Sequence, residues 1–384
     1  MSRDFLTPGR IVVGEKAIEN SAKYLAAMGK KPLVVTGRIV VGLEPFKTLE
    51  AVLRANGRDY AVFSGITGEP TDEMIDAGLK AYRENGCDFL IGIGGGSPLD
   101  SVKAIAALYA CGGKIADYAG VEISGDLPPM AAIPTTAGTG SEATKFTVIT
   151  DAATDVKMLL KGESLIPDLA IVDYRNTKTS PKSITASTGL DALTHAVEAY
   201  TSRAAQPLTD SLAVSAVKRI FKYLPAAYDN GDDDTAREEM SVAALEAGIC
   251  INNSSVTVVH GMSRPIGALF HVPHGLSNAM LLCKCMNFAK DGAAERFAAL
   301  GRAVGVAPAS DSDNAAADKF IQGLFDICRK CEVPTIEEYG IGKADFEKAI
   351  SKMAADALAS GSPSNTRKDV SESDIIQIYQ SLIS

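Results

Sequence analysis

The sequence predicts an α/β domain followed by an all-helical domain, and three observations support this prediction. The chain has 384 residues, more than the roughly 250 to 300 at which a single core stops growing, so two domains are expected. In the first part of the chain, short apolar runs alternate with helical patterns, as in βαβ units. From about residue 183 strand-like runs disappear and helical patterns continue to the C-terminus. The predicted domains are residues 1–181 and 182–384.

The apolar runs of the first domain have the length of strands and are separated by helices, which predicts a mostly parallel sheet covered by helices. The predicted strands are 11–13, 33–35, 60–63, 89–93, 130–133 and 168–173, and the clearest helices are 48–55 and 71–84. A linker at 177–182, which contains Pro181, leads into the second domain.

Composition and charge exclude several classes of partner. The formal net charge of -9 argues against a surface that collects nucleic acid phosphates or anionic lipids. The N-terminus lacks the basic and apolar regions of a secretory signal, and no stretch reaches the roughly 18 apolar residues of a membrane span. We therefore expect a cytoplasmic protein that binds neither nucleic acid nor membrane.

The chain contains 7 cysteines, an odd number that fits a reduced compartment. Cys283 with Cys285, and Cys328 with Cys331, could together offer four thiolates to zinc. Because the first spacing is unusual for structural zinc and both pairs lie in apolar or helical patterns, we favour buried free thiols.

A glycine-rich turn follows the predicted strand 89–93 and opens a helix. The three glycines at 94–96 let backbone N–H groups approach a pyrophosphate, and the helix N-terminus favours the same anion. We assign Ser97 to the N-cap, Pro98 to the first helical position and Asp100 to a reciprocal capping carboxylate. The alternative is a tight turn that needs glycine for its geometry alone.

A second loop of glycines and hydroxyl residues, 134–142, follows the next predicted strand. An open α/β sheet binds its ligand where such loops leave the carboxyl ends of its strands. The two loops together favour a phosphate-bearing cofactor over a simple turn.

The 4 histidines all lie between residues 195 and 274. Asp191 and His195 are four residues apart in a helical pattern, so both side chains project from one face. His260, His271 and His274 follow in a segment whose prolines and glycines we expect to interrupt the helix. An isolated pair of this kind is usually structural, but three imidazoles and a carboxylate suit Fe(II) or Zn(II) with an open position.

Four motifs occur together and in order: GGGSPLDSVK from residue 94, PTTAGTGSEAT from 134, TGLDALTHAVEAY from 188 and HGMSRPIGALFHVPHG from 260. With them the chain resembles the iron-containing alcohol dehydrogenase family nearly end to end. The resemblance implies a Rossmann-like N-terminal domain and a helical C-terminal domain, an architecture like that of dehydroquinate synthase. It also implies hydride transfer between NADP or NAD and a small primary alcohol or aldehyde, whose oxygen a divalent metal polarises.

The resemblance assigns site residues position by position. The implied ligands of Fe(II), or alternatively Zn(II), are Asp191, His195, His260 and His274. The implied cofactor-binding residues lie on the two loops and on one lysine beyond them: Gly95, Gly96, Ser97, Thr135, Thr136, Thr139 and Lys157. Asp100, as the expected cap of the same helix, is added to the cofactor group.

One position departs from the family pattern, since many relatives carry a histidine where Arg264 stands. The usual proton-relay residue is therefore missing, and the catalytic candidates are His271 and Arg264. We expect His271 either to replace the relay or to pack as an aromatic ring. Arg264 is expected to meet either an anionic substrate or an internal acid, because a buried unpaired guanidinium is costly.

The end of the second predicted strand indicates the cofactor. An acidic residue there bonds the ribose 2'-hydroxyl of NAD and repels the 2'-phosphate of NADP. This chain has Gly37 and Arg38, where relatives that use NAD typically carry Asp at the Gly37 position. We predict that NADP(H) is accepted in preference to NAD(H), with Glu69 as a carboxylate that could still reach the ribose.

Two other functions remain open on the sequence alone. A metal-dependent lyase of the dehydroquinate synthase type would need a basic pocket, for which residues 183–280 offer few lysines. A non-catalytic cofactor-binding or metal-binding protein would bind without turnover. A homo-oligomer, taken as a homodimer, is expected, and the sequence does not name the alcohol.

Overall fold

Two units make up the part of the chain that this computed structural model describes, residues 2–154 and 156–383. Leu6–Ser180 form an α/β unit, and the described residues from 181 onward form a helical unit together with residues 2–5. The division lies one residue before the predicted boundary. The predicted fold class, an α/β domain with a parallel sheet followed by a helical domain, is confirmed.

The N-terminal residues join the helical unit through hydrogen bonds. The Arg3 guanidinium donates to the carbonyl oxygens of Ala204 and Ala205. The Gln206 side-chain amide donates to the carbonyl oxygen of Asp4 at 3.2 Å. Contacts of this kind leave no periodic signal in a sequence, so a boundary drawn from hydrophobic patterns places these residues with the unit that follows them.

The α/β unit contains a parallel sheet, a hairpin and five α-helices among its described residues. The strands are β1 (Arg10–Val13), β2 (Pro32–Val35), β3 (Ala61–Phe63), β4 (Phe89–Gly94), β5 (Met130–Pro134), β6 (Phe146–Asp151), β7 (Val156–Lys161) and β8 (Leu169–Val172). The helices are α1 (Ala17–Asn20), α2 (Ala22–Met28), α3 (Glu44–Ala55), α4 (Asp72–Glu84) and α5 (Gly96–Cys111).

The sheet has the order β1-β8-β5-β4-β2-β3, and its neighbouring strands pair in parallel. Strands β2, β4, β5 and β8 are buried along their whole length. A parallel sheet is covered by helices on both faces, which is why its strands occur in the sequence as continuous apolar runs. The central strands β4 and β5 pair in register, with Gly94 opposite Pro134.

Two features of this unit differ from the sequence prediction. Helix α3 begins four residues before the predicted start at Thr48, because Pro45 in its first turn needs no hydrogen-bond acceptor for an N–H. Strands β6 and β7 form an antiparallel hairpin that the sequence analysis missed. Val156 and Leu159 are exposed apolar residues on β7, and they hide the alternation by which a half-buried strand is recognised.

Beneath the hairpin, the fully buried amine of Lys103 is saturated with hydrogen-bond acceptors. It donates to Ser141 Oγ at 3.0 Å and to the carbonyl oxygens of Thr144 and Phe146 at 2.9 and 2.8 Å. Burial lowers the pKa of Lys103 to about 8, against the opposing effect of Asp100. This lysine on α5 therefore fixes the segment that leads into β6.

The described part of the helical unit contains nine α-helices. They are α6 (Lys182–Thr201), α7 (Pro207–Asp229), α8 (Asp234–Ser254), α9 (Val258–Phe270), α10 (His274–Ala289), α11 (Ala294–Ala303), α12 (Asp313–Lys330), α13 (Lys343–Ala359) and α14 (Glu372–Gln380). Helix α6 is buried from Gly189 to its end and packs against α7, α8 and α10. A helix that is buried on every side can present polar groups to an interior site.

Short 3-10 helices complete the described secondary structure. They are Val40–Gly42, Ile115–Tyr118, Ser141–Ala143, Glu163–Leu165, Tyr174–Thr177, Lys290–Gly292 and Ser362–Asn365. Within the described residues no single helix has the length and apolar character to cross a membrane, and only α8 and α9 taken as a pair, bent by 104°, pass that test by length and composition.

Candidate metal centre and cofactor loops

The helical unit brings four metal-binding side chains to one point. Asp191 and His195 lie one turn apart on α6, His260 lies on α9, and His274 is the first residue of α10. One ligand atom of each lies within 4.8 Å of those of the other three. These are the four residues that the sequence analysis carried over as metal ligands.

The chain turns sharply between α9 and α10 to place His274. His271 ends α9 in the left-handed conformation, with φ 53°, and Pro273 precedes the first residue of α10. A Cβ on Gly275 would lie 2.6 Å from the carbonyl oxygen of Ser187, so α10 can approach α6 only with glycine there. The predicted interruption of the helix is found at 271–273, next to Pro273, but not at Pro265 or Gly267, since α9 continues through both to Phe270.

The distances within the cluster suit a divalent metal ion. Asp191 Oδ1 lies 3.8 Å from the Nε2 atoms of His195, His260 and His274. An ion at the centre of a tetrahedron with edges of this length would lie about 2.3 Å from each atom, slightly more than the roughly 2.0 to 2.2 Å of a bond from imidazole or carboxylate to zinc. Iron(II) accepts the same nitrogen and oxygen donors. The donor set therefore fits a metal ion.

Burial leaves one side of the cluster accessible. Asp191, His195 and His260 are each less than 5% exposed, whereas the side chain of His274 is 40% exposed. The His195 and His260 rings stack with their centroids 4.6 Å apart. A site that is closed on three sides and open on the fourth is the arrangement of a catalytic rather than a structural metal.

Asn278, one turn after His274, also points into the cluster. Its amide nitrogen lies 2.7 Å from Asp191 Oδ1, 3.0 Å from His260 Nε2 and 3.2 Å from His274 Nε2. A donor group at hydrogen-bond distance from three acceptors shows that their lone pairs face a common point. Asn278 was not among the predicted site residues, although its spacing from His274 places it on the same helical face.

Glu198 holds His260 from the side opposite the cluster. Its buried carboxylate accepts hydrogen bonds from His260 Nδ1, from the Thr257 hydroxyl at 2.7 Å and from the Val259 backbone N–H at 2.7 Å. With Nδ1 engaged, the Nε2 lone pair of His260 is directed at the cluster. Glu198 was also missed, but it lies three residues after His195 on the same face of α6, so helical spacing could have identified it.

Electrostatics within the cluster favour neutral imidazole beside an ionised carboxylate. Burial lowers the pKa of His260 well below its usual range, and neighbouring His195 and His274 add to this effect. Burial acts to raise the pKa of Asp191, but the three histidines and the Asn278 hydrogen bond bring it below its ordinary value. Neutral imidazole and ionised carboxylate are the forms that bind a metal.

The two catalytic candidates have different surroundings. His271 is exposed and lies outside the group of four converging side chains, and an exposed ring does not fit the aromatic packing alternative. Arg264 is partly buried on α9, and its guanidinium donates to Ser362 Oγ at 3.0 Å. Within the described chain no carboxylate lies within ion-pairing distance of Arg264, so the internal acid that the sequence analysis allowed for is absent there.

In the α/β unit, the two glycine-containing loops lie side by side. The Thr135 backbone N–H donates to the Gly94 carbonyl at 2.8 Å. A Cβ added to Gly95 would lie 3.7 Å from Thr136, and one added to Gly96 would lie 2.9 Å from Thr139. The loops therefore leave the carboxyl ends of β4 and β5 as a pair, where an open α/β sheet binds ligands.

The predicted capping of α5 is wrong. Gly95 is the N-cap and the helix begins at Gly96, so neither Ser97 nor Pro98 stands where it was assigned. The Asp100 carboxylate caps nothing, since it accepts hydrogen bonds from Ser141 Oγ at 2.5 Å and from the Val148 N–H at 2.9 Å. Among the described residues no side chain caps α5, and a helix start of this kind can bind an anion through its first backbone N–H groups.

The remaining cofactor candidates flank this region. Gly37 forms a bridge with Gly65, and Arg38 is exposed. Glu69 and Lys157, each assigned a ribose contact, form an ion pair with each other at 2.6 Å. The charge of the Glu69 carboxylate is therefore balanced by Lys157, a pairing that the sequence did not predict.

The cysteines agree with the favoured interpretation of free thiols. The 7 cysteines are all free in the structure. Cys283 and Cys328 have their sulfur atoms 3.6 Å apart, while Cys285 contacts the Met262 sulfur instead. The four-thiolate zinc alternative is not supported, since the metal-binding group found among the described residues is the Asp191 cluster.

Comparison with known proteins places the chain in a family. A model of iron-containing alcohol dehydrogenase matches residues 8–174, and a model of the C-terminal part of Fe-containing alcohol dehydrogenases matches residues 185–383. The chain is 34% identical to NAD-dependent methanol dehydrogenase from Bacillus methanolicus, over 99% of this chain and 100% of that protein.

Solved structures also match the chain along its whole length. A 1,3-propanediol oxidoreductase structure has a TM-score of 0.96 at 33% identity and covers 100% of both chains. Sulfoacetaldehyde reductase from Bifidobacterium kashiwanohense in complex with NAD+ has a TM-score of 0.88 at 28% identity, over 100% of this chain and 99% of that chain. The chain belongs to the iron-containing alcohol dehydrogenase family.

Proposed function

We propose that this protein transfers a hydride between a small primary alcohol, or its aldehyde, and a nicotinamide cofactor, with one iron ion held by Asp191, His195, His260 and His274. The observation that carries the proposal is the convergence of these four ligand atoms within 4.8 Å. Family membership supports iron and alcohol chemistry. Relatives are named for methanol, 1,3-propanediol and sulfoacetaldehyde, so membership alone does not name the substrate.

An iron ion bound by these residues would act as a Lewis acid that stabilises the substrate alkoxide during hydride transfer. The chain's own groups prepare the site for it. Glu198 fixes the tautomer and direction of His260, and the partly exposed side at His274 leaves room for a substrate oxygen. Arg264 cannot serve as a proton relay because its guanidinium stays protonated, which leaves His271 as the candidate relay.

The backbone N–H groups at the start of α5 and the adjacent loop 134–142 are the proposed site for the cofactor's pyrophosphate. Support comes from the uncapped helix N-terminus and from the close pairing of the two loops. Ser97, Thr135, Thr136 and Thr139 supply hydroxyl groups there. Asp100 does not belong to this group, since one of its oxygens binds Ser141 of the loop and the other binds the Val148 N–H of β6.

The two other functions considered for this protein have less support. A lyase of the dehydroquinate synthase type and a purely binding protein are not favoured, because the relatives compared are dehydrogenases, oxidoreductases and reductases. Zinc suits the same donor set as iron and stays an alternative metal. A homodimer and a cytoplasmic location stay predictions.

The first prediction concerns the metal. His195→Ala should lose stoichiometric iron and alcohol oxidation together, because the three remaining side chains no longer enclose the ion. Metal content after anaerobic reconstitution with Fe(II), measured by plasma emission spectroscopy beside initial rates, checks this. His271→Ala removes an imidazole outside the cluster, so this control should retain its iron. Full activity in a sample shown to be metal-free would contradict the proposal.

Glu198→Gln should weaken iron binding by about 10- to 100-fold, because a neutral amide no longer stabilises His260 with its Nε2 directed at the metal. Metal affinity by competition with a chelator, together with the visible spectrum of the Co(II)-loaded protein, measures the effect. The control is Glu246→Gln, which makes the same change at another largely buried glutamate, hydrogen-bonded to Ser215. Equal metal affinities in the two variants would show that Glu198 has only a structural role.

Gly95→Ala should weaken NAD(H) and NADP(H) binding by about tenfold or more, which is about 1.4 kcal/mol. Its methyl group makes an ordinary contact with Thr136, so the loops can keep their arrangement while the cofactor loses its close approach. Gly96→Val is a poorer test, since its Cβ would crowd Thr139. Fluorescence titration with the reduced cofactor measures binding. The control is Gly42→Ala, whose added methyl group would meet no other atom. Equal cofactor affinities in the two variants would show that the loop is a turn without a role in cofactor binding.

The preference for NADP(H) stays a prediction, because the relatives are named for NAD. We expect a higher kcat/KM with NADP(H), and expect Gly37→Asp to reverse it by repelling the 2'-phosphate. A Cβ on Gly37 would lie 3.1 Å from the Ile66 carbonyl oxygen, so Gly37→Ala is the control for crowding. A parent enzyme that prefers NAD(H) by more than about tenfold would show the interpretation of this strand end to be wrong.

A further inference from the structure

Among the described residues Arg264 forms no ion pair with an acidic side chain, unlike several other arginines of the helical unit. Arg203, Arg296 and Arg302 each pair with an aspartate at 2.5 to 2.9 Å. Arg264 is less exposed than Arg203, yet the neutral Ser362 hydroxyl is the hydrogen-bond partner that the described chain gives it. Burying a guanidinium without a counter-ion is unfavourable, and accordingly burial lowers the pKa of Arg264.

Glu198, the acidic group whose charge acts on Arg264, already has other hydrogen-bond partners. Glu198 acts on Arg264 electrostatically, but no ion pair joins them. Its carboxylate accepts hydrogen bonds from His260, Thr257 and Val259. Most of the five N–H groups of Arg264 are therefore left for a partner that the chain does not supply.

The guanidinium is held in place from the C-terminal side. The segment Ser362–Asn365 packs against α9, and a Cβ on Gly261 would lie 2.7 Å from Pro363. This close contact positions the Ser362 hydroxyl that binds Arg264. An arginine whose guanidinium group is already held in place loses little conformational entropy when it binds a planar anion.

The spacing on α9 relates Arg264 to the metal cluster. His260 and Arg264 are four residues apart, so they project from the same helical face, displaced by about 6 Å along the axis. A substrate whose oxygen lies at the metal would reach Arg264 with a group placed two or three carbon atoms away. A guanidinium binds a carboxylate, sulfonate or phosphonate there through paired hydrogen bonds.

We propose that Arg264 recognises an acid group of the substrate, so that the preferred substrate is a small anionic aldehyde or its alcohol. This inference rests on the proposed function, because it takes hydride transfer at the Asp191 cluster as given. Arg264 is then a substrate-binding residue that determines specificity. If Arg264 only balanced the charge of Glu198, the enzyme would show no preference between acid and neutral substrates.

The test compares succinic semialdehyde with its uncharged amide, a pair matched in length and shape, using the iron-loaded enzyme and reduced cofactor. We expect kcat/KM for the acid to exceed kcat/KM for the amide by at least about tenfold, because the amide cannot form the charge-assisted hydrogen bonds. Arg264→Gln should bring the ratio close to one, and Arg264→Lys should restore part of the preference. The control Arg203→Gln, at an exposed ion pair, should leave the ratio at the parent value.

Equilibrium binding separates this inference from the proposed function. Calorimetry with iron-loaded protein and NAD+, which cannot reduce the aldehyde, should show tighter binding of succinic semialdehyde than of its amide in the parent and not in Arg264→Gln. If no aldehyde is turned over but this binding preference is present, the proposed function fails and the acid site stands. Equal binding and equal kcat/KM for the two compounds in the parent would overturn the inference.

Discussion

The helical unit depends on one buried carboxylate, that of Asp191. An ionised carboxylate in the protein interior is unfavourable unless donors or positive charge surround it. Here three imidazoles stand 3.8 Å from one of its oxygens and the Asn278 amide donates to the same atom. Because these groups come from α6, α9 and α10, the packing of three helices is tied to a single atom, and a metal ion is the partner that satisfies all four ligands at once.

The packing around that carboxylate tolerates little change. Gly275 lets α10 touch the backbone of α6, and Glu198 holds His260 through a ring nitrogen that faces away from the cluster. In the α/β unit a comparable constraint acts on the two loops. Gly96 accommodates Thr139, while Lys103 and Asp100 fasten Ser141 from below. The motif that begins at Gly94 therefore contains two kinds of residue. Gly96 allows the close approach of Thr139, whereas Asp100 and Lys103 fix the loop that contains Thr139 and Ser141.

Arg264 shows how one substitution within a shared motif can redirect a site without disturbing it. The helical spacing that places a metal ligand at His260 also places the next side chain on that face four residues later. An imidazole there could exchange protons, whereas a guanidinium stays charged and binds anions. The metal cluster and its surrounding hydrogen bonds do not involve this position, so specificity can change while the metal-binding chemistry stays the same.

The sequence by itself determined the features that have local or periodic signals. Continuous apolar runs predicted the parallel sheet, because both faces of that sheet are buried. The clustering of the histidines, with Asp191 and His195 on one helical face, predicted a metal site, and the family resemblance selected the four side chains that the structure brings together. The helix starts were less predictable: Ser97 and Asp100 fit a capping pattern, but the true start at Gly96 depends on the loop that packs against it.

Only the tertiary structure decided the contacts between distant segments. Glu69 pairs with Lys157, Glu198 binds His260 and Ser362 binds Arg264, and each of these contacts joins residues from separate elements. That no described carboxylate pairs with Arg264 is likewise a result of the packing. Whether a side chain has a hydrogen-bond partner or a counter-ion depends on distances in three dimensions, and these distances produce no periodic pattern in the sequence. For that reason the motifs of the chain predicted the fold class and the candidate metal ligands. The groups that orient or neutralise the site residues became visible only in the packed structure, because they come from separate helices and strands.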